Sequence, residues 1–259
     1  MSVFTLFSYF GLPLILFFVC LPFLLNARET GRTALTALSL GASVNGIAKQ
    51  LLKIPHRWVT EPGFEPKIME AGYAMPCERS MLAAAALTAI ALSTKKTWAR
   101  IVCAAGIILT AASRLYLGVQ SFADVLVGVL LGAGCAVLVH VIKDPARLAV
   151  CAGCGLVCVL LGGAAWGLGL SVTAGLHLLC EGLFNKTDRP RHILLILLEL
   201  LLCAGACLAL YIGVPFLVEW LLTPRSEGEA LIVILITALP VTLLPLCFRW
   251  LTDWRTEAK

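Results

Sequence analysis

Charge is what this chain has least of. Only 14% of its 259 residues are Asp, Glu, Lys or Arg, against 60% that are hydrophobic. A soluble domain has roughly 25% charged and about 45–50% apolar residues. The mean hydropathy of +0.95 repeats the point. The residue-by-residue alternation of a membrane β-barrel is also missing, because the apolar runs are continuous. No basic tract is long enough to hold a nucleic-acid backbone, so DNA and RNA are not expected partners. The net charge of +5 is scattered among short segments between the apolar runs, where it reads as a topology signal. Most of the eleven cysteines lie within apolar runs, which excludes a disulfide framework. The spacing Cys151-x2-Cys154-x3-Cys158 has no second pair or histidine beside it, so close helix packing is expected there and no metal. The glycine-rich stretch 152–175 is not followed by Lys-Ser, which excludes a phosphate-binding loop of the nucleotide-binding kind.

What remains is a series of apolar segments, each near the roughly 20 residues that cross a bilayer. They cover residues 8–26, 33–54, 80–94, 98–112, 122–142, 148–166, 167–184, 192–222 and 230–251. Nine spans are expected, or eight if the glycine-rich pair counts once. Residues 8–26 are followed by no A-x-A-like site, so they are expected to be a retained helix. Residues 28–32 read as a loop, 55–79 as a long polar loop, and 143–147 as a terminator in which Pro145 stops the preceding helix. Pro215 is expected to kink or end the 192–222 run. Lys and Arg recur in alternate loops, at Arg28/Arg32, Lys95/Lys96/Arg100, Lys143/Arg147 and Lys186/Arg189/Arg191, and in the C-terminal tail. The positive-inside rule puts these in the cytoplasm, with the N-terminus and the 55–79 loop outside. Trp220, Trp250 and Trp254 near span ends read as interfacial anchors. Glu199 and His177 lie at similar depth and suit either a hydrogen bond between two helices or an intramembrane function.

One polar island stands between two apolar runs. It spans residues 113–124 and reads S-R-x5-Q-x3-D, with Ser113, Arg114, Gln120 and Asp124 at the fixed positions. Charges in such a place are costly and mark function or a paired cluster. The pattern resembles the third signature of the type-2 phosphatidic acid phosphatase superfamily, S-R-x5-H-x3-D, and its flanks look like bacterial members. The first signature, K-x6-R-P, is matched at Lys49, with His56 and Arg57 in place of its arginine and proline. The second, P-S-G-H, is matched at Pro76, with Cys77, Glu78 and Arg79 in place of the rest.

The resemblance covers about residues 34–184 and implies an all-α, polytopic transmembrane helical bundle like the lipid phosphate phosphatase core, with extra C-terminal helices. Three segments follow: 1–33 as an N-terminal helix and loop, 34–184 as the phosphatase-like core, and 185–259 as C-terminal helices. In the family, cations cradle a phosphoryl group, a histidine attacks phosphorus, an aspartate one turn on orients it, and a second histidine protonates the leaving oxygen. By position, Arg79, Gln120 and Asp124 correspond to the catalytic residues, and Lys49, His56, Arg57, Arg79 and Arg114 to the phosphate-binding set. Gln120 forms no useful phosphoenzyme, and Arg79 stays protonated at neutral pH.

The expectation is a catalytically inactive member of the superfamily. It would bind or handle a phosphorylated or anionic lipid at the outer face of a bacterial cytoplasmic membrane, with its C-terminus in the cytoplasm and no cofactor. Two alternatives stand beside it. One is an active lipid phosphate phosphatase with rearranged residues, His56 or Cys77 serving as nucleophile. The other is a structural or partner-binding membrane protein in which Lys49, Arg79 and Arg114 pair with Glu78 and Asp124. Oligomeric state is not legible.

Overall fold

The computed structural model describes residues 27–162 apart from 62, 69–71 and 143, together with residues 15, 18, 19, 21 and 22. Among the described residues every regular element is helical: α1 (Arg28–Leu52), α2 (Arg57–Thr60), α3 (Glu78–Ser93), α4 (Thr97–Tyr116), α5 (Phe122–Val141) and α6 (Asp144–Leu160). The expected all-α class is the one observed. The runs beyond residue 162, with Glu199, His177, Pro215 and the three C-terminal tryptophans, lie outside the described residues, as does most of the 8–26 run.

The bundle is organised around α3, which packs against α1, α4 and α5; α1 also packs against α5 and α6. The reason lies in its composition. Ala83, Ala84, Ala85, Ala86 and Ala89 are all buried, and side chains this small let neighbouring backbones come close. The neighbours answer with glycines. A Cβ built on Gly128 of α5 would stand 2.6 Å from the Cys77 carbonyl oxygen, and one on Gly41 of α1 would stand 3.1 Å from the Ala85 methyl. Gly132 likewise faces the α3 backbone at Met81. The 16 residues of α3 rise about 24 Å, less than the roughly 30 Å hydrocarbon thickness. A helix shielded by neighbours on all sides need not meet that length. Cys158 of α6 fills the notch left by Gly46 of α1, which is the close packing expected of the cysteine-glycine stretch.

Polar groups inside the bundle are satisfied locally. Thr33 and Thr36 donate to the Glu29 and Arg32 carbonyls at 2.7 Å, and Ser43 to the Ser39 carbonyl at 3.1 Å. Such bonds to the preceding turn hide a hydroxyl without a second helix. By contrast, the outer faces of α4 and α5 are apolar: Ile101, Ile108, Leu130 and Val141 are each more than 60% exposed. These two helices are each 20 residues long and are long and apolar enough to cross a membrane.

Three expected boundaries move. Residues 28–32 were expected to form a loop but open α1, where Glu29 sits in the positive first turn and pairs with Arg32 at 3.3 Å. Residues 143–147 were expected as a terminator. Instead α6 begins at Asp144, with Pro145 in its first turn, where a missing N–H costs nothing. The 55–79 loop contains the four-residue α2 and gives up Glu78 and Arg79 to the start of α3.

Candidate anion site at one end of the bundle

Four helix ends meet at one end of the bundle, and each carries the charge its backbone dipole favours. Lys49 is in the last turn of α1 and Arg114 in the last turn of α4, where carbonyls leave a partial negative charge. Glu78 opens α3, and Asp124 is in the first turn of α5, where unpaired N–H groups leave a partial positive one. The α4 helix runs to Tyr116, past the expected end at residue 112, so Ser113 and Arg114 belong to a helix rather than a loop. The antiparallel path through α1, α3, α4 and α5 brings all three signature regions to this end.

The α5 end is built by a capping box. Asp124 N–H donates to Ser121 Oγ at 3.2 Å, and Ser121 N–H donates to Asp124 Oδ2 at 2.8 Å. Gln120 lies in the turn just before and is 6% exposed. The orientation of its amide is assigned from its surroundings: with the nitrogen placed toward the two neighbouring acceptors, it donates to the Ala74 carbonyl at 2.7 Å and to Asp124 Oδ2 at 3.2 Å. The aspartate thus holds residue 120 from the start of α5.

Segment 72–77 is strapped across this end by backbone bonds. Ala74 N–H donates to the Ile54 carbonyl at 2.8 Å, and Cys77 N–H to the Asp124 carbonyl at 3.0 Å. Asn45 Nδ2 reaches the Pro76 carbonyl at 3.2 Å. With Gln120, these contacts tie the second signature region to the other two. Asn45 was not among the expected site residues. Its signal was there: it precedes Lys49 by four positions, so the two share one face of α1.

The cations divide into two groups. Lys49 Nζ lies 2.9 Å from Glu78 Oε2, with side chains 19% and 37% exposed. Arg114 is buried in the last turn of α4, at 1% exposure, and Arg79 is half-buried beside Glu78. Arg57, in contrast, is engaged by a local carboxylate. Its guanidinium donates to both Glu61 oxygens at 3.1 and 2.8 Å and lies over the Phe64 ring at 4.8 Å. That contact holds the Glu61 carboxyl below its usual range and raises the Arg57 guanidinium above its own.

His56 is buried and stacked on Trp58, ring centroids 4.1 Å apart. Cys77 is 1% exposed, its Sγ 3.2 Å from Ser80 Oγ. Neither presents an open nucleophile. Residues 64–67 fold over the α4–α5 turn. Lys67 N–H donates to the Leu117 carbonyl at 3.0 Å, and its Nζ sits 3.5 Å above the Tyr116 ring. Gly118, at φ +68°, supplies the left-handed turn beneath Phe64. Among the described residues, no cluster of three or more His, Cys, Asp or Glu could hold a metal ion.

Lys49, Arg79 and Arg114 thus lie in the helix turns that meet at this end. The same end offers residue 120 only as an amide. Residues 30–147 match a family model described as the PAP2 superfamily. Comparison with curated proteins and with solved structures returns no match.

Proposed function

Because residues 30–147 make this chain a member of the PAP2 superfamily, whose substrates are in general lipid phosphates, we propose that it binds or handles a phosphorylated or anionic lipid without cleaving it. One observation carries the reading. The position that would attack phosphorus is Gln120, and its amide is occupied by Asp124 and the Ala74 carbonyl. An amide cannot form and release a phosphoenzyme as an imidazole does. Arg79, fully protonated near neutral pH, cannot deliver the leaving-group proton. What the site keeps is cationic: Lys49, Arg79 and Arg114, near the positive ends of α3 and α5. His56 and Arg57 of the expected set are secondary in this reading, one stacked on Trp58 and the other engaged by Glu61.

The setting is a multi-pass protein of a bacterial cytoplasmic membrane, with the 34–184 core carrying the site. Apolar residues exposed along α4 and α5 suit lipid contact. The alternation of basic loops favours an outer-face site and a cytoplasmic C-terminus.

A second reading has its own observation. The 2.9 Å Lys49–Glu78 pair already answers one cation, as a self-satisfied structural cluster would. The full chain, purified in a neutral detergent, separates the readings in two assays. Phosphate release from phosphatidic acid and polyprenyl phosphate should stay at background; robust turnover would restore the rearranged-enzyme alternative. Polyprenyl phosphate should raise the apparent Tm, by up to about 2.7 kcal/mol of stabilisation at a hundredfold excess over Kd. Arg114→Ala should erase that gain. Should this buried substitution prevent folding, the half-buried Lys49→Ala carries the test. No ligand-induced stabilisation of the unaltered chain leaves the structural cluster.

A further inference from the structure

The opposite end of the bundle holds an apolar groove of about 250 Å³. It opens between the end of α3 and the beginning of α4, beside Phe18, Leu21 and Pro22 of the first run. Its floor includes Gly106, which has no side chain to fill it, and Leu87; Val102 lines its wall. Its mouth carries Thr94, Lys96 and Trp98. Trp98 is 63% exposed, as an aromatic at a membrane interface would be.

The charge at this mouth has one sign. Lys95 and Lys96 are exposed in the α3–α4 turn, and Arg100 follows one turn on. Arg100 Nε donates to the Thr94 carbonyl at 3.1 Å, leaving the rest of its guanidinium facing outward. Among the described residues, no acidic side chain lines the groove. The nearest acid in sequence to its α1 wall, Glu29, is paired with Arg32. A largely apolar slot lined by Lys96, with Lys95 and Arg100 exposed close by in sequence, matches an amphiphile with an alkyl tail and a negative head. It matches a bare anion poorly, because most of its lining is apolar, and a neutral lipid poorly, because Lys96 would gain no counter-charge.

We propose that this groove binds an acyl chain of an anionic membrane lipid, with the headgroup held by Lys96 and its neighbours Lys95 and Arg100. The site is separate from the polar end. Lys96 precedes α4 and Arg114 lies in its last turn. At 1.5 Å per residue they stand about 27 Å apart along the helix, close to one hydrocarbon thickness. The proposal therefore stands whether or not the polar end takes a ligand.

The test uses the full chain in a neutral nonionic detergent, titrated with dioleoyl phosphatidylglycerol, dioleoyl phosphatidylcholine and inorganic phosphate, and read by apparent Tm and by lipid adducts in native mass spectrometry. Phosphatidylglycerol should raise the Tm and survive as an adduct at concentrations where the other two do neither. Val102→Trp, which fills the groove from a half-exposed position, and Lys96→Gln should each raise the lipid concentration for half-maximal shift by about tenfold or more. Both are made in the Lys49→Ala background, so that lipid binding at the polar end does not enter the reading. If Val102→Trp lowers the unliganded Tm, Ala99→Leu makes the same obstruction with the same expectation. Equal shifts from phosphatidylcholine or inorganic phosphate overturn the proposal. So does a phosphatidylglycerol shift that survives the groove variants in that background, which assigns the lipid elsewhere.

Discussion

Glu78→Gln tests the anion site most directly, because it changes one charge and little else. Lys49 Nζ and Glu78 Oε2 are 2.9 Å apart. At the effective dielectric of a protein surface, unit charges about 4 Å apart attract by roughly 4 kcal/mol. This pair is partly solvated, with side chains 19% and 37% exposed, so desolvation, screening and side-chain entropy cut the net to about 1 kcal/mol. A phosphoryl group that approaches Lys49 must displace this carboxylate and then sit near its charge. Neutralising Glu78 should therefore favour the ligand by about 1–1.5 kcal/mol, or roughly five- to tenfold in Kd. The ligand-free protein should lose up to about 1 kcal/mol, since Lys49 loses its partner. The two observables move in opposite directions. A titration with polyprenyl phosphate gives the affinity, and an unliganded melt gives the stability. Lower stability with unchanged or weaker affinity would refute the reasoning, because Glu78 would then be holding the bundle together rather than competing for a bound anion.

Four other substitutions probe separate parts of the structure. Gly128→Ala should cost about 1–3 kcal/mol as a lowered apparent Tm, since its Cβ would meet the Cys77 carbonyl at 2.6 Å and backbone cannot give way cheaply; Gly134→Ala, with nothing within 4 Å, should be neutral or slightly stabilising. Glu61 titrates below the usual range of a glutamate because Arg57 donates to it. Its stabilising effect is thus complete above about pH 4.5 and lost as pH falls through the lowered folded value, so melts of wild type and Glu61→Gln should differ slightly at neutral pH and converge in acid. Gln120→His alone should leave steady-state release of phosphate from phosphatidic acid at background, because Arg79 still offers no transferable proton; turnover in that single variant would show that the site retains an acid elsewhere.

Much of the bundle was legible because long apolar runs and their alternating connections dictate antiparallel helices. That alternation also brings Lys49, Glu78, Arg114 and Asp124 to one end, since each marks the end or the beginning of a successive helix. The helix limits were harder to read. Glu29, Glu78 and Arg114 look like loop residues when judged by polarity, yet a carboxylate in a first turn or a cation in a last turn interacts favourably with the dipole and suits the helix end. Side-chain partners were harder still. Arg57 sits at a signature position, but its i+4 neighbour is Glu61, and a local pair forms whatever the distant site requires. The ties from Gln120 to Ala74 and from Asn45 to Pro76 join residues 46 and 31 positions apart in the chain, through a loop whose path no periodicity encodes.

The same charge placement serves two ends. Cations at helix C-termini and carboxylates at helix N-termini stabilise four separate helices without any ligand, which is reason enough for a bundle to keep them. A phosphate-binding site, however, needs those cations unevenly matched, so that a further negative charge gains more than it disturbs. Asp124 is committed to the α5 cap and to Gln120, and Glu61 to Arg57, which leaves Glu78 as the carboxylate shown facing Lys49. Its side chain is the more exposed of the pair and stands on the first turn of α3, where the helix end would welcome a phosphoryl oxygen as readily as a carboxylate. On the proposed reading, Glu78 occupies the place a lipid phosphate would take. An anion reaches Lys49 by displacing it, so affinity at this end should rise with every change that weakens the Lys49–Glu78 contact and leaves Lys49 in place.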